Sequence, residues 1–563
     1  MSKLNRGGKK PSTNIRTVAA QREEKLGLSA NGNLQFVKQP LVLLYEIAVS
    51  TMFGKGMGYK SSDTLVKELR QHVKNAVEQK AFDFVANLAI HARGEMNIRT
   101  IPIVLVVEFA KALADKRAPY VAEINKIKTN WSSKLALPEY SQVRVNELQA
   151  AADEYNYGNM RQLVCDVIQR ADQITDLYAY ALDVFSVKGK IPIAIKRGVA
   201  DAFNKFSEYQ FAKYNRGDSV KFRDVLRIVH PKAKDEAQGA VFDKIMKDTL
   251  ETPYTWETQL SANGQRGVER KSDKQLWTEL VQSGQMGYMA LLRNLRNISQ
   301  AGLDSSVVRE YVTDVISDQQ RVLKSKQLPF DFMEAYNVIK PLDGKMATAV
   351  SQAMDYSVAN VPKMGKRVWL IIDYSGSMGG ESDYSTTHKS AFSTALLLGA
   401  ALAKASANAD DLAITVFGSS AKTLKNIDTN NSVFALKTEL GKERTGGIAG
   451  STNFHAALKE KSNLKFEPDT IIVLSDGDVN SFPYSALRDV SDKKDVVKLV
   501  VNLSASSTTP FSQKDGWYPI SGWAPAMFKW VPAIRNKESI VDQLSVPYTG
   551  VPKRTKKTEE SAE

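Results

Sequence analysis

The sequence predicts two parts of different fold class: an α-helical repeat part and, after it, an α/β doubly wound domain. Up to Pro362, many short segments carry apolar side chains at helical spacing, with brief connections between them. After Arg367 the pattern changes, and apolar runs of strand length alternate with helical segments. Such alternation is typical of a parallel sheet that is covered by helices on both faces.

Composition indicates a folded chain with a basic surface. Of its 563 residues, 43% are hydrophobic and 25% are charged, as in folded proteins. The net charge of +14 favours a polyanionic partner, although a merely basic soluble protein is the alternative. Cys165 is the single cysteine, which excludes an intramolecular disulfide. We see neither a secretory signal nor a membrane span, and we expect a cytoplasmic protein.

The helical part is predicted to occupy residues 31–362, after a basic disordered arm at 1–30. Short amphipathic helices cannot each bury their apolar face alone, so the pattern indicates helix pairs stacked into a solenoid. The clearest predicted helices are 65–77, 81–92, 101–113, 161–170, 174–185, 192–206, 221–229, 276–283, 288–298, 306–323 and 346–358.

The α/β domain is predicted for residues 363–545 and is followed by a flexible tail at 546–563. Its strands are predicted at 368–373, 412–417, 470–475 and 496–502. Its helices are predicted at 388–405, 432–440, 454–461, near 484–490 and at 528–534.

Three loops of this domain carry oxygen side chains where buried strands end. The strand at 368–373 runs into an Asp-x-Ser-x-Ser loop, a glycine-rich loop presents a threonine, and the strand at 470–475 ends in Asp-Gly. The carboxyl ends of parallel strands form the crevice where open α/β sheets bind ligands. The candidate ligands are Asp373, Ser375, Ser377, Thr452 and Asp476.

This ordered set resembles the metal-ion-dependent adhesion site of von Willebrand factor type A domains. The resemblance implies that Ser375, Ser377 and Thr452 coordinate the ion directly, and that Asp373 and Asp476 hold it directly or through water. It also implies one open position for an acidic group of a partner. Oxygen donors without His or Cys favour Mg²⁺ or Mn²⁺. The threonine loop is looser than the family pattern, which predicts a weaker site.

Four segments of the helical part resemble the TROVE module of the Ro ribonucleoprotein autoantigen and its bacterial relatives. They are Lys213-Tyr with Arg216-Gly, Asp-Val-Leu-Arg-x-x-His ending at His230, Trp277-x-x-Leu, and Ala-Leu-Leu-Arg-Asn-Leu ending at Leu295. The order of a TROVE module and then a type A domain is that of Ro proteins, and the resemblance covers residues 31–540. It implies HEAT-like helical repeats in a ring that the type A domain closes.

The same resemblance implies a function in RNA binding. Ro proteins bind small structured non-coding (Y) RNA on a basic outer surface, and single-stranded ends of misfolded RNA enter the central hole. The family's RNA-binding residues map onto Lys213, Arg216 and His230. The implied role is a ribonucleoprotein scaffold or RNA quality-control factor, with a protein partner such as an exoribonuclease placing an acidic group at the metal. From the residues alone, His230 also fits a helix cap or a core histidine.

Two other classes of function are weighed against this one. A metal-dependent protein–protein adaptor without any RNA role would use the same type A domain and leave the positive charge incidental. An enzyme is not expected, because the sequence shows neither a nucleophile–base set nor a phosphate-cradling lysine loop.

Overall fold

The computed structural model describes most of the helical part and the core of the α/β domain. The described residues are 24–28, 34–50, 62–131, 137–185, 190–215, 220–264, 270–380, 390–406, 412–445, 448–477, 496–503, 508–512, 515–521 and 540–550. The predicted helices near 484–490 and at 528–534 lie outside these residues, as do most of the predicted arm and tail. None of the described helices has the length and apolarity needed to cross a bilayer.

Helices follow one another closely from Pro40 to Ser357. They are α1 (Pro40–Ser50), α2 (Ser62–Glu78), α3 (Phe82–Gly94), α4 (Ile101–Asn130), α5 (Glu139–Asp153), α6 (Met160–Val167), α7 (Asp172–Phe185), α8 (Ile193–Phe203), α9 (Glu208–Tyr214), α10 (Phe222–Val229), α11 (Glu236–Lys247), α12 (Trp256–Asn263), α13 (Asp273–Gln282), α14 (Tyr288–Arg293), α15 (Leu295–Gln300), α16 (Ser305–Val308), α17 (Asp314–Ile316), α18 (Gln319–Ser325), α19 (Pro329–Ile339) and α20 (Gly344–Ser357). The predicted helical part is confirmed.

Strands and helices alternate in the last third of the chain. The strands are β1 (Leu26–Leu28) and β2 (Leu34–Val37) near the start, then β3 (Val368–Asp373), β4 (Leu412–Phe417), β5 (Ala421–Thr423), β6 (Thr470–Ser475), β7 (Val497–Asn502), β8 (Thr508–Thr509) and β9 (Trp517–Ser521). The helices are α21 (Ala391–Ala405), α22 (Val433–Lys442), α23 (Phe454–Lys459) and α24 (Ile540–Leu544). The predicted α/β doubly wound domain is confirmed.

The main sheet has six strands in the order β5-β4-β3-β6-β7-β9. All neighbouring pairs are parallel except β4 with β5. β3, β6 and β7 are buried along their whole length, which explains the long apolar runs of β3 and β6. The chain runs from β3 outward to β4 on one side, while β6 lies on the other side. The strand order therefore reverses at β3, the kind of position where such sheets bind ligands.

A second, antiparallel sheet joins β1 and β2 to β8. Its register pairs Phe36 with Thr509, so a segment from the start of the chain pairs with one from near its end. The sequence pattern predicts helical structure from residue 31 onward, and β2 corrects this prediction. β1 lies in the predicted disordered arm. β2 pairs on its other side with β8, which lies far away along the chain, and this is why local pattern does not reveal this sheet.

The described chain divides into two compact units. The sheet unit contains Met1–Leu65 and Tyr254–Ile540, and the helical unit contains Val66–Pro253 and Val541–Glu563. These units do not coincide with the predicted domain limits at 30, 362 and 545, which follow the sequence pattern and stay a prediction.

The helical unit includes the segment after α24. Asn87 Nδ2 donates to the carbonyl oxygens of Leu544 and Val546, at 3.0 and 2.7 Å. The Tyr548 hydroxyl donates to Asp166 Oδ2 at 2.6 Å. These bonds fix a short non-helical segment onto α3 and α6.

Close packing of α8 on α6 gives a test of this fold. A Cβ on Gly198 would lie 2.5 Å from the Arg161 carbonyl oxygen and 2.6 Å from Val164 Cβ. We expect Gly198→Ala to lower the free energy of unfolding by about 1–3 kcal/mol. In Gly239→Ala, the matched control on α11, the nearest atom lies 3.8 Å away. That substitution should raise stability by about 0.5–1 kcal/mol, because alanine favours helix. Thermal unfolding of both variants checks the pair, and equal effects would contradict the packing.

Candidate metal centre and nucleic-acid interface

The predicted metal ligands lie at the carboxyl edge of the main sheet. β3 ends at Asp373 and its parallel neighbour β6 ends at Ser475, immediately before Asp476. Asp373, Ser375, Thr452 and Asp476 are all buried, and Ser377 is half-buried. The strand order thus places acidic and hydroxyl side chains at the point where the sheet reverses direction.

Asp373 is held by two hydrogen bonds. Its Oδ1 accepts the backbone N–H of Ser375 at 2.8 Å, and its Oδ2 accepts the Ser475 hydroxyl at 2.6 Å. Burial, and then the negative charge of Asp476, raise the pKa of Asp373 to about 7. Two carboxylates therefore repel one another in a buried place, and a divalent cation would relieve that repulsion.

The hydroxyl donors are brought together by backbone contacts between loops. Ser375 Oγ and Ser377 Oγ lie 3.1 Å apart. The N–H of Gly376 donates to the Gly450 carbonyl at 2.8 Å, which ties the threonine loop to the serine loop. Thr452, two residues further, is only 3% exposed. The structure thus links the serine loop to the threonine loop through their backbones.

Gly418 allows the threonine loop to pass close to the end of β4. A Cβ at residue 418 would stand 2.0 Å from the Ile448 carbonyl oxygen, so no larger residue fits without moving that loop. The Gly418 carbonyl also accepts the N–H of Asn453 at 2.8 Å, next to Thr452. This glycine is a supporting residue that the sequence motifs do not reveal.

The donor set fits a hard divalent cation. It consists of carboxylate and hydroxyl oxygens, which Mg²⁺ and Mn²⁺ prefer. Within the described residues there is no group of three or more His, Cys, Asp or Glu side chains arranged to hold a metal. A centre here would therefore depend on Ser375, Ser377 and Thr452 beside the two aspartates. Metal binding at this place, like the identity of the ion, stays a prediction.

Arg444 supports the serine loop and was not predicted. Its guanidinium donates to the backbone carbonyls of Gly379 and, at 3.2 Å, of Ser375. The guanidinium carbon also lies 4.0 Å from the centre of the Phe392 ring on α21. Because the partners are backbone carbonyls, only the folded loop reveals this role.

Gln35 of β2 supports the aspartate loop from a distant part of the sequence. Its Nε2 donates to the Gly477 carbonyl at 2.7 Å, and its Oε1 accepts the Thr508 hydroxyl at 2.9 Å. Gln35 is buried, so the small second sheet braces the loop that carries Asp476.

The predicted RNA-binding residues lie in the helical unit. Lys213 is half-buried in the last turn of α9, and its Nζ lies 5.7 Å from the centre of the Tyr214 ring. The guanidinium of Arg170 lies 4.7 Å from the centre of the same ring. Lys213 is therefore next to a second cation that the sequence did not single out. Arg216 lies outside the described residues.

His230 ends α10 in a left-handed conformation, with φ of 46°. Its N–H donates to the Leu226 carbonyl at 3.0 Å, so the backbone caps the helix. The imidazole itself is exposed, which excludes the core-histidine alternative. The Phe211 and Phe222 rings, 5.1 Å apart, pack α9 against α10 and place Lys213 and His230 on adjoining helices.

Family models match two adjoining stretches of the chain. Residues 243–375 match the TROVE domain, and residues 368–478 match the von Willebrand factor type A domain. The first stretch begins after Lys213 and His230, whereas the second contains every predicted metal ligand.

Similar proteins are found by sequence and by fold. This chain is 32% identical to telomerase protein component 1 of Rattus norvegicus, and equally to that of Mus musculus, over 102 residues, or 18% of its length. The match covers only 4% of those relatives' own length. The crystal structure of the Deinococcus radiodurans RO (RSR) protein aligns over 89% of this chain and 100% of its own, with a TM-score of 0.56 and 17% identity.

The buried aspartate pair generates a prediction for Mg²⁺. Mg²⁺ present at 100 times its Kd should raise the free energy of unfolding of the wild type by about 2.7 kcal/mol, and Asp373→Asn should remove that increase. The control is Asp469→Asn, which removes a carboxylate from the opposite end of β6, where it accepts the N–H groups of Lys366 and Arg367. This control should still respond to Mg²⁺. Thermal unfolding with and without Mg²⁺ is the measurement, and a full response in Asp373→Asn would refute the site.

The backbone at His230 generates a second prediction. Asparagine tolerates the left-handed conformation, so His230→Asn should keep the helix end and change the free energy of unfolding by less than about 1 kcal/mol. A thermal melt checks this. A larger loss would show that the imidazole itself supports the fold.

Proposed function

We propose that this chain is a Ro-type protein that binds RNA through its helical unit and a divalent cation through its sheet unit. The proposal is supported by the match to a TROVE domain, the match to a von Willebrand factor type A domain after it, and the similarity of the fold to that of a Ro protein. The two activities use different residues and different chemistry. Fixed cations of the helical unit neutralise phosphates, whereas oxygen donors of the sheet unit hold Mg²⁺ or Mn²⁺.

The observation that carries the RNA proposal is a local concentration of positive charge. Residues 186–234 contain 12 Lys or Arg and only 4 Asp or Glu. This stretch includes α8, α9 and α10 and therefore all three predicted RNA-binding residues. A basic stretch of this kind attracts a polyanion whatever its sequence.

The exposed His230 supports recognition of folded RNA. An imidazole that is exposed at a helix end can stack on, or bond to, an unpaired base. Lys213, in contrast, offers a point charge to a phosphate. The bound RNA is a small structured non-coding RNA of the Y type, and single-stranded ends of misfolded RNA enter the opening of the predicted ring. The protein then acts as a ribonucleoprotein scaffold or quality-control factor.

The cation of the sheet unit serves protein binding in this proposal. One coordination position accepts an acidic side chain from a partner, for example an exoribonuclease. Binding, and not catalysis, is the proposed role of the whole chain.

Copurification tests the RNA proposal directly. Protein purified at low salt should show a high ratio of absorbance at 260 to 280 nm, and RNase should lower it. A ratio that is low from the start, together with Mg²⁺-dependent capture of an acidic protein, would instead favour the adaptor without an RNA role.

Lys213→Ala should remove about one phosphate contact. The slope of log affinity against log salt should then fall by about 0.7–0.9 in magnitude. Lys422→Ala is the matched control, because Lys422 lies in the sheet unit and pairs with Glu443 at 2.8 Å. Filter binding over a salt series gives both slopes. Equal slopes for wild type and Lys213→Ala would contradict a phosphate contact.

His230→Asn should lower the affinity for a structured RNA more than the affinity for a single-stranded competitor. The reason is that the imidazole meets a folded RNA surface, while a generic backbone contact would treat all RNAs alike. Parallel titrations with both RNA types give the ratio of losses. An equal loss for each RNA would remove His230 from the recognition surface.

A further inference from the structure

Arg93, in the last turn of α3, is a buried cation with little compensation. It is 5% exposed, and its Nε has no hydrogen-bond partner among the described residues. Its Nη2 lies 3.4 Å from Gln173 Oε1, which is long for a hydrogen bond. A buried guanidinium that lacks a carboxylate is costly to keep in a fold.

Gln173 cannot supply what Arg93 lacks. Its Oε1 already accepts the N–H groups of Gln169 and Arg170, at 3.0 and 3.1 Å. Its Nε2 donates to the Arg99 carbonyl at 3.0 Å. The glutamine instead holds the segments of Arg99 and Arg170 on either side of Arg93.

Further cations surround this position. Burial lowers the pKa of Arg93, the charges of Arg99 and Arg170 lower it further, and the charge of Asp172 offsets only part of this decrease. Burial also lowers the pKa of Lys205, and repulsion by the charge of Arg93 adds to this decrease. Arg93 is therefore close enough to Arg99, Arg170 and Lys205 to be repelled by each of them. Lys205 Nζ also donates to the backbone carbonyls of Cys165, at 2.9 Å, and Ile168.

The carboxylates nearby are already engaged. Asp172 forms an ion pair with Arg170, with Oδ1 3.1 Å from Nε. Asp166 accepts the Tyr548 hydroxyl. These four residues thus keep an excess of positive charge, and the buried Nε of Arg93 has no acceptor in the part of the chain that the structure describes.

We propose that Arg93, Arg99, Arg170 and Lys205 form a binding site for a phosphate group. Guanidinium groups match the geometry of phosphate oxygens, and a multiply charged anion would satisfy the Nε of Arg93 and relieve the repulsion. We call these four residues the Arg93 cluster.

The Arg93 cluster is continuous with the predicted RNA contact at Lys213. Arg170 and Lys213 both lie against the ring of Tyr214, at 4.7 and 5.7 Å from its centre. An RNA chain that reaches Lys213 would therefore bring further phosphates to the cluster. This choice of source rests on the proposed RNA function, whereas the phosphate site itself does not.

The test uses Arg93→Met in the full chain. In phosphate-free buffer its melting temperature should equal or exceed that of the wild type, because an uncompensated buried charge is removed. Added phosphate or pyrophosphate should raise the melting temperature of the wild type and not that of the variant. Arg144→Met is the matched control, because Arg144 is exposed and paired with Glu123 and Glu147, and it should respond like the wild type.

The response to phosphate decides the proposal. Its loss in Arg93→Met, with the control unchanged, supports the site. A response that Arg93→Met retains, or that the wild type lacks, overturns it.

A second arm identifies the source of the phosphate. A short single-stranded oligoribonucleotide should bind Arg93→Met at least about tenfold more weakly than the wild type, since a charged hydrogen bond is lost. Unchanged RNA affinity with a lost phosphate response assigns the site to a free phosphate compound. If the wild type binds no RNA at all, the proposed RNA function fails, and the phosphate response still decides the site.

Discussion

The charge of Asp373 at the end of a fully buried strand is the constraint on which the sheet unit depends. Its carboxylate lies beside Asp476 and holds both its own loop and the end of β6 through Ser375 and Ser475. Much of the surrounding structure positions that pair: Gly418 admits the threonine loop, Arg444 fixes the serine loop, and Gln35 braces the aspartate loop. Such a concentration of support around buried acidic groups is typical of a binding site, because packing alone would favour apolar residues there.

The sequence predicts the centre of the sheet well and its margins poorly. The limits of β3, β4 and β6 agree with the structure, since strands buried on both faces have continuous apolar sequences between polar loops. β1 and β2 were missed because they form one sheet with β8, far away in the chain, which pairs with β2. The second half of α4 was missed as well, because its more polar sequence is helical through packing against α5. A predicted helix at 288–298 is divided at Asn294, whose buried side chain bonds to the Ala290 carbonyl.

The two candidate sites also differ in how far the sequence alone predicts them. The residues proposed as metal ligands could be selected from the sequence because each follows a recognisable strand or glycine-rich loop. The Arg93 cluster could not, because its members come from α3, the loop after it, the segment just before α7 and the turn just after α8, and only the fold brings their charges together. A cation in sequence is ordinarily a solvated side chain. What distinguishes Arg93 is burial with an Nε that has no acceptor among the described residues, and that property exists only in three dimensions.

The division of the chain into units has a consequence for how the protein can be cut. The backbone passes from one unit to the other three times, after Leu65, after Pro253 and after Ile540. A single proteolytic cleavage at any one of these passages leaves two covalent connections between the units. Neither unit is encoded by one continuous stretch of sequence. The helical unit includes the C-terminal segment whose Tyr548 bonds to Asp166, and the sheet unit includes β2, which pairs with β8. A gene fragment that ends at one of these three positions therefore leaves at least one unit incomplete. To complete that unit, the rest of its sequence would have to be expressed as a separate chain.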